Sequence, residues 1–324
     1  MTCYRPIAQT DPARSPGALT LAGGWCWFDR VEVMERGRRE IIAAHELPEV
    51  ARQRLTDPRP PLHGLTWDAP RVMGIVNATP DSFSDGGTYD PVAQGRALAA
   101  DADLLDIGGE STRPGAQTVA EEEEIRRIRP VMDALRGLRP LSIDTRKAAV
   151  AKASDADMVN DVSAMLYDSA MAGTVARMGA SVCLMHAQGV PETMQDDPRY
   201  SDVLLDVYDH LAERIAMAEA AGIPRSRIVV DPGIGFGKTM THNLTLIRGL
   251  SAFHGLGCPI LLGVSRKGFI GRIGQAATPA DRMPGSVAVA LAGVAQGAQI
   301  LRVHDVGATR QALALWIAST GEMR

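Results

Sequence analysis

The sequence predicts an α/β fold, an eight-stranded (β/α)8 barrel of the TIM type carrying an N-terminal extension. Three features lead there. Eight short apolar runs recur after residue 70, each ending abruptly in polar residues or glycine. The stretches between them carry helical periodicity. The repeating part spans about 250 residues, the usual size of such a barrel. An open, doubly wound sheet would show the same alternation of strands and helices; the count of eight favours closure.

The runs occupy residues 71–77, 102–109, 141–145, 157–163, 181–187, 227–233, 259–265 and 299–305. Their apolar character is nearly unbroken, without polar alternation, which marks strands covered on both faces as in parallel sheets. Between the second and third runs, Val119, Ile125, Ile128, Met132 and Leu135 fall on one helical face. After the fifth, Leu204, Val207, Leu211 and Ile215 do the same, and Gly222 is placed as a C′ residue. The acidic run at 121–124 reads as a solvated helix start, since acids suit a helix N-terminus and Glu122 with Arg126, and Glu123 with Arg127, are i,i+4 pairs.

Residues 1–66 break the rhythm and are taken as an extension of the barrel domain at 67–324. A strand-like stretch at 25–34 is bounded by Gly23, Gly24 and Gly37, and DPRPP at 57–61 reads as a linker. The extension is expected to hairpin across the barrel's N-terminal end.

Composition narrows the function. With 45% hydrophobic and 22% charged residues and a net charge of −4, the chain has no general attraction to nucleic acid or anionic membrane. No apolar run reaches the ~20 residues of a membrane span. The N-terminus lacks the basic-then-apolar order of a secretory signal. Cys3, Cys26, Cys183 and Cys258 are scattered and form no CxxC pair, which fits a reducing cytoplasm rather than disulfides or a zinc site. Cys183 and Cys258, in or beside apolar runs, read as small buried residues.

The strand ends carry the chemistry. In order they present Asn77, Asp106, Asp144, Asn160, His186, Asp231, Ser265 with Arg266 and Lys267, and Arg302 with His304. One polar strand end alone is most often solvated or capping a helix. Eight together make a polar ring at one mouth, where barrel active sites are assembled. His186, a lone histidine, reads as structural. GIGFGKT at 233–239 imitates two phosphate loops, but Pro232 replaces a required glycine of one and Lys238 of the other. Its glycines suit a tight turn after Asp231, with Phe236 near the ligand.

MGIVNATPDSFSDGG at 73–87 and DIGGESTRPG at 106–115 resemble the two signatures of the dihydropteroate synthase family. SIDT, VNDVS, MHAQG, DPGIGFGKT, GVSRKGFIG and RVHDV follow in the family's order on successive strands, and the resemblance covers roughly residues 71–318. It implies condensation of (7,8-dihydropterin-6-yl)methyl diphosphate with 4-aminobenzoate, releasing pyrophosphate, by a sulfonamide-sensitive class of enzyme that is usually homodimeric.

The resemblance assigns Asp144, Asn160, Asp231, Lys267 and Arg302 to the pterin, with Asp144, Asp231, Lys267 and Arg302 as the catalytic set. The chemistry agrees: a pterin edge offers two adjacent donors, which one carboxylate accepts in bidentate fashion. A carboxylate nearby also stabilises the positive charge that grows as the C–O bond breaks. Arg302 and His304 are two apart on one strand and share a face. Arg302 could hold phosphate with one guanidinium edge and stack its plane on the pterin. By resemblance Asn77, Thr112, Arg302 and His304 take the diphosphate, and Asn77 is the one protein ligand of Mg²⁺, which suits a metal that keeps its waters and phosphate oxygens. Phe83, Thr112 and Pro114 shape the aminobenzoate pocket, which Ser82, Arg113, Ser265 and Lys267 contact. No general base is nominated, because a neutral aniline nitrogen is nucleophilic enough to attack a cation.

Two departures stand out. Ala78 replaces the usual valine of the first signature. The segment at 147–157 is short for a barrel helix with its connections, roughly a turn less than the family's. Two other functions keep the same pterin residues: a silent pterin-binding scaffold, which would lose Lys267, Arg302 or His304, and a methyltetrahydrofolate-dependent methyltransferase, which would not need TPDSFSDGG, STRPG and SRKG.

Overall fold

A computed structural model describes residues 2–79, 90–111, 117–189 and 193–320. The chain opens with β1 (Cys3–Pro6), β2 (Leu19–Thr20), β3 (Trp27–Phe28), β4 (Arg30–Glu35), β5 (Arg38–Ala43) and α1 (Glu49–Thr56). Strands and helices then alternate: β6 (Arg71–Asn77), α2 (Pro91–Leu98), β7 (Leu104–Gly108), α3 (Glu121–Leu135), β8 (Leu141–Asp144), α4 (Ala148–Ser154), β9 (Met158–Asp161), α5 (Met171–Met178) and β10 (Ser181–Met185). The second half continues with α6 (Val203–Ala220), β11 (Ile228–Asp231), α7 (Met240–Arg248), β12 (Leu261–Leu262), α8 (Gly268–Ile273), α9 (Met283–Val294), β13 (Ile300–Val303) and α10 (Val306–Thr320).

All eight apolar runs are strands, and they pair in parallel in the order β11-β10-β9-β8-β7-β6-β13-β12. A parallel bridge between Val230 and Ile260, with the Val230 amide donating to the Pro259 carbonyl at 3.0 Å, closes the ring. The fold is therefore the closed TIM barrel and not the open sheet. The anticipated helix faces also hold: Ile128, Met132 and Leu135 of α3 and Leu204, Val207, Leu211 and Ile215 of α6 are buried, and Gly222 follows α6 at φ +94°. Val119 lies ahead of α3, whose N-cap is Ala120.

Strand periodicity sorts the interior into layers. Side chains two apart on a strand point the same way. Met73, Leu104, Met158, Cys183, Val229, Leu261 and Ile300 form one apolar cluster near the starts of their strands. Two residues later the same strands present Ile75, Asp106, Asn160, Met185, Asp231, Gly263 and Arg302. The floor is apolar, and the next layer is mostly polar.

The stretch just after the expected linker completes that floor, and the linker itself is anchored beneath the barrel. Leu62 and Trp67 join the cluster, with Leu65 against it. Leu62 and Leu65 pair across His63 and Gly64, both at positive φ (50° and 80°), the geometry of a two-residue hairpin turn. Trp67 Nε1 donates to the Pro60 carbonyl at 2.8 Å, and Arg59 is buried with Nη2 donating to the His254 carbonyl at 2.9 Å. Proline spacing suggested a solvated spacer because it shows turns, whereas burial depends on what the turns face.

The hairpin of β4 and β5 was expected across the same end. It lies instead on the barrel's flank. Arg36 reaches Asp206 and Asp209, and Arg39 reaches Asp202, all on the first turns of α6. Trp25 Nε1 donates to the Val294 carbonyl at 2.8 Å and Ser251 Oγ to the Pro6 carbonyl at 2.7 Å. The 57–67 stretch crosses underneath.

Leu62→Ala should lower unfolding free energy by about 2–5 kcal/mol, the usual cost of emptying a filled core position. Urea denaturation measures it; a loss near zero would mean that Leu62 does not seal the floor.

Candidate functional site

The polar layer opens into a cavity of about 770 Å³ at the C-terminal mouth of the barrel. Every described residue nominated from the sequence lines it: Asn77, Asp144, Asn160, Asp231, Ser265, Lys267, Arg302 and His304. Register explains the gathering, since Asp144 pairs with Gly108 on one side and Asn160 on the other, and Asp231 pairs with Met185. Ser82, Phe83, Thr112, Arg113 and Pro114 lie outside the described residues.

Arg302 is the electrostatic centre. Its Nε donates to Asp106 Oδ2 at 2.6 Å and its Nη2 to Asp144 Oδ2 at 2.7 Å. Asn160 Nδ2 donates to the same Asp106 oxygen at 3.0 Å. Asp106, fully buried, thus holds two of the nominated side chains from behind. It stood in the row of strand ends without a role. The signal that could have found it is parity: it falls two residues after Leu104, level with Asn160 and Arg302.

Two carboxylate oxygens here, Asp106 Oδ1 and Asp144 Oδ1, are buried without a hydrogen-bond partner among the described residues. Buried acceptors are rarely left so, and Asp144 faces the cavity, where a ligand's N–H could satisfy it. Burial pushes the Asp144 carboxyl up to about 7, with Arg302 pulling it down and Asp106 pushing it further up. Burial also raises Asp231, against the Gly233 amide that donates to its Oδ1 at 2.7 Å. For Arg302, burial works to lower the value, but the flanking carboxylates outweigh it and hold the guanidinium charged.

On the opposite wall, Lys267 sits with its ammonium 4.0 Å from the centre of the Phe236 ring. Arg266 before it adopts φ +58°, a left-handed conformation that costs a non-glycine residue about 1–3 kcal/mol. Three contacts hold it there. Its guanidinium pairs with Asp305, its amide donates to Ser286 Oγ at 2.8 Å, and Arg282 donates to its carbonyl at 3.1 Å. The kink turns Ser265 and Lys267 into the same cavity. Ser265 Oγ accepts from the His304 amide at 3.1 Å and lies 3.0 Å from His304 Nδ1, so it also orients that ring.

The GIGFGKT turn is what its glycines suggested. Gly233, Gly235 and Gly237 all have positive φ, and a Cβ on Gly233 would stand 1.8 Å from the His186 carbonyl. Lys238 folds inward, its Nζ 2.9 Å from His186 Nδ1 and donating to the His186 and Phe236 carbonyls. Burial pushes Lys238 down to about 7 and His186 down to about 2. His186 thus braces the wall, as its structural assignment anticipated.

A family model described as pterin binding enzyme matches residues 73–304. The dihydropteroate synthase of Neisseria meningitidis serogroup B is 48% identical over 265 residues, covering 78% of this chain and 93% of its own. A solved Xanthomonas albilineans dihydropteroate synthase with 4-aminobenzoic acid is similar at a TM-score of 0.74 and 48% identity, over 79% of this chain and 94% of that one. Another from that organism, in complex with 7,8-dihydropteroate, has a TM-score of 0.71 and 44% identity, over 79% and 95%. The chain belongs to the dihydropteroate synthase family of pterin-binding enzymes.

Within this family member, Arg302 neutralises two carboxylates that share a buried wall. Arg302→Met should cost about 3–5 kcal/mol, the penalty for orphaning a buried charge. The pH dependence has a definite sign. Asp144 rises from 3.8 to about 7 on folding, so its contribution is intact below the unfolded value and is lost as pH climbs through about 7. Without the cation that value moves higher still. The deficit of the variant, read by urea denaturation, should therefore be larger at about pH 8 than at about pH 5; an equal deficit would contradict the pairing.

Proposed function

We propose that this chain condenses (7,8-dihydropterin-6-yl)methyl diphosphate with 4-aminobenzoate to give 7,8-dihydropteroate and pyrophosphate, the activity of the family it belongs to. One observation carries it: Asp144, Asn160 and Asp231 line a single cavity at the barrel mouth together with the basic side chains Lys267, Arg302 and His304. Asp231, Asp144 and Asn160 accept and donate along the flat polar edge of the pterin. Charge-assisted pairs of this kind are about twice as strong as neutral ones. Arg302, already held edge-on by Asp106 and Asp144, presents its plane to the ring. Lys267 lies between the pterin carbonyl and the aminobenzoate.

As the C–O bond to the diphosphate lengthens, positive charge grows on the pterin methylene. The buried carboxylates stabilise it without reorganising. Arg302, His304 and Thr112 draw the leaving group the other way. The aniline nitrogen of aminobenzoate, held by Ser265 and Lys267 with Ser82, Phe83, Arg113 and Pro114, attacks the cationic carbon and then sheds its proton. A scaffold that had abandoned chemistry would have no need to keep Lys267, Arg302 and His304 around one cavity.

Asn77 lines that cavity too, and among the described residues no group of three His, Cys, Asp or Glu side chains forms a metal cage. A single carboxamide oxygen fits Mg²⁺ carried in by a diphosphate, because this ion keeps most of its waters. When bound, Mg²⁺ would neutralise charge on the departing pyrophosphate. No helix of the described residues is long and apolar enough to cross a membrane, and we place the enzyme in the cytoplasm as a homodimer.

Incubation with the pterin diphosphate, 4-aminobenzoate and Mg²⁺ should release pyrophosphate and yield the mass of 7,8-dihydropteroate. Chelation should abolish turnover, and Asn77→Ala should shift the Mg²⁺ titration to higher concentration. Absence of product refutes the activity, and an unmoved titration refutes the ligand. Asp231→Asn should weaken pterin binding by about 1.5–3 kcal/mol as the hydrogen-bonded pair loses its charge. Calorimetry giving an unchanged Kd would remove Asp231 from the site.

A further inference from the structure

Glu124 is not part of a solvated helix start. It is 1% exposed, and its Oε2 accepts from Lys147 Nζ at 2.6 Å. Of the acidic run, Glu121 and Glu122 are exposed and Glu123 pairs with Arg127, as anticipated, whereas Arg126 pairs with Glu123 and not with Glu122. The same ammonium donates to Glu110 Oε2 at 2.6 Å and to the Val119 carbonyl at 2.6 Å. Glu110 Oε2 also accepts from the Val119 amide at 2.7 Å, and Glu110 Oε1 from Arg146 Nη2 at 2.6 Å. Glu110 and Lys147 are 6% and 4% exposed.

We propose that Glu110 and Lys147, backed by Glu124, are a buried staple that fixes both ends of the segment after β7, making Lys147 a positioning residue for the second substrate. The geometry is specific to that task. Glu110 leaves β7 and lines the cavity. Val119, where the chain returns ahead of α3, has its own N–H and its own C=O captured by Glu110 and Lys147. The two ends are thereby tied to each other and to α3, whose first turn presses on Gly109. A Cβ there would meet Ile128 at 2.7 Å and Glu124 at 3.0 Å.

Stability alone would not ask for this arrangement. Buried ion clusters of this kind are often matched or exceeded by apolar residues of similar volume. An apolar trio could pack α3 against β7, but it could not hold a peptide group by both its donor and its acceptor. Burial works to raise the Glu110 carboxyl, yet Lys147, the Val119 amide and Arg146 outweigh it and hold it low. Burial likewise works to lower Lys147, and the two carboxylates outweigh that. Burial raises the Glu124 carboxyl against the pull of Lys147, and Arg146 lies 4.4 Å from the centre of the Tyr167 ring.

The inference rests on the proposed reaction, because Thr112, Arg113 and Pro114, assigned there to aminobenzoate, lie between the stapled ends. Lys147→Met should raise KM for 4-aminobenzoate by about tenfold or more, as small misplacements of positioning elements do. Kd for the pterin without its diphosphate should stay within about twofold, since Asp144, Asn160 and Asp231 make no hydrogen bond to the staple, whereas Thr112, assigned to the diphosphate, lies between the stapled ends. If the unaltered enzyme makes no dihydropteroate, the proposed function fails. If it does and the variant's KM for aminobenzoate is unchanged, or the pterin without its diphosphate weakens together with aminobenzoate, the staple fails. Should Lys147→Met not fold, Glu110→Gln keeps the shape and takes the same two measurements. In the unaltered protein, hydrogen exchange at the Val119 amide must be slow; exchange at the rate of an unstructured peptide overturns the proposal.

Discussion

Everything in this site follows from side chains two apart on a strand pointing the same way in a closed parallel ring. Once Met73, Leu104, Met158, Cys183, Val229, Leu261 and Ile300 are committed to an apolar floor, the residues two further on have no choice of direction. They must face the axis one layer higher. Asp106, Asn160, Asp231 and Arg302 are therefore aimed at the axis by the burial of their neighbours, and their own contacts then fix them there. A one-residue slip of any strand would send its polar member into the helix layer. The hydrophobic floor is thus the positioning device of the catalytic layer, and the Leu62–Trp67 turn beneath it belongs to the site as much as to the fold.

The polar layer then needs its own solution, because Asp106 and Asp144 cannot be buried side by side as bare charges. Arg302 supplies it from across the ring, with one nitrogen to each. A lysine could neutralise only by proximity, whereas the planar fork reaches both and keeps a flat face turned to the cavity. The arrangement leaves Asp144 with an unpartnered oxygen and a proton affinity raised to about 7. That is a costly state for an empty wall and a favourable one for a wall meeting a donor-edged ring.

Most of this was legible in the sequence. The eight strands were visible because parallel strands buried on both faces leave no polar alternation to confuse with a helix. The site residues were visible because strand ends are sharp: DIGG, SIDT and VVDPG each pass from apolar to polar within a residue or two. What stayed hidden was whatever depends on the partner rather than the pattern. The proline-rich segment at 57–61 has the composition of a spacer, and only the barrel end above it makes it an anchor, with Arg59 buried against the His254 carbonyl. Glu124 stands four residues before Ile128, on the buried face that Ile128, Met132 and Leu135 mark, so its inward turn was legible in that spacing; its partner Lys147 was not. Arg266 at positive φ has no local mark either, because its strain is held by Asp305, Ser286 and Arg282, up to 39 positions away.

The short segment after Asp144 shows how loosely the outer wall is coupled to the inner one. Helix α4 has only 7 residues and ends at Asp155 in the left-handed region, φ 48°, where an asparagine or glycine is the more usual choice. Even so, Asp144 and Asn160 on either side of it are direct partners in the sheet. Their alignment is set by ladder hydrogen bonds and by Asp157, whose carboxylate accepts from the Leu141 amide at 2.8 Å while its own amide donates to the Leu141 carbonyl at 2.9 Å. A helix of 7 residues sets how far the wall projects, but the register of β8 against β9 does not pass through it. In a barrel the chemistry is carried by the strands, and the helices can be trimmed so long as the strand starts remain tied.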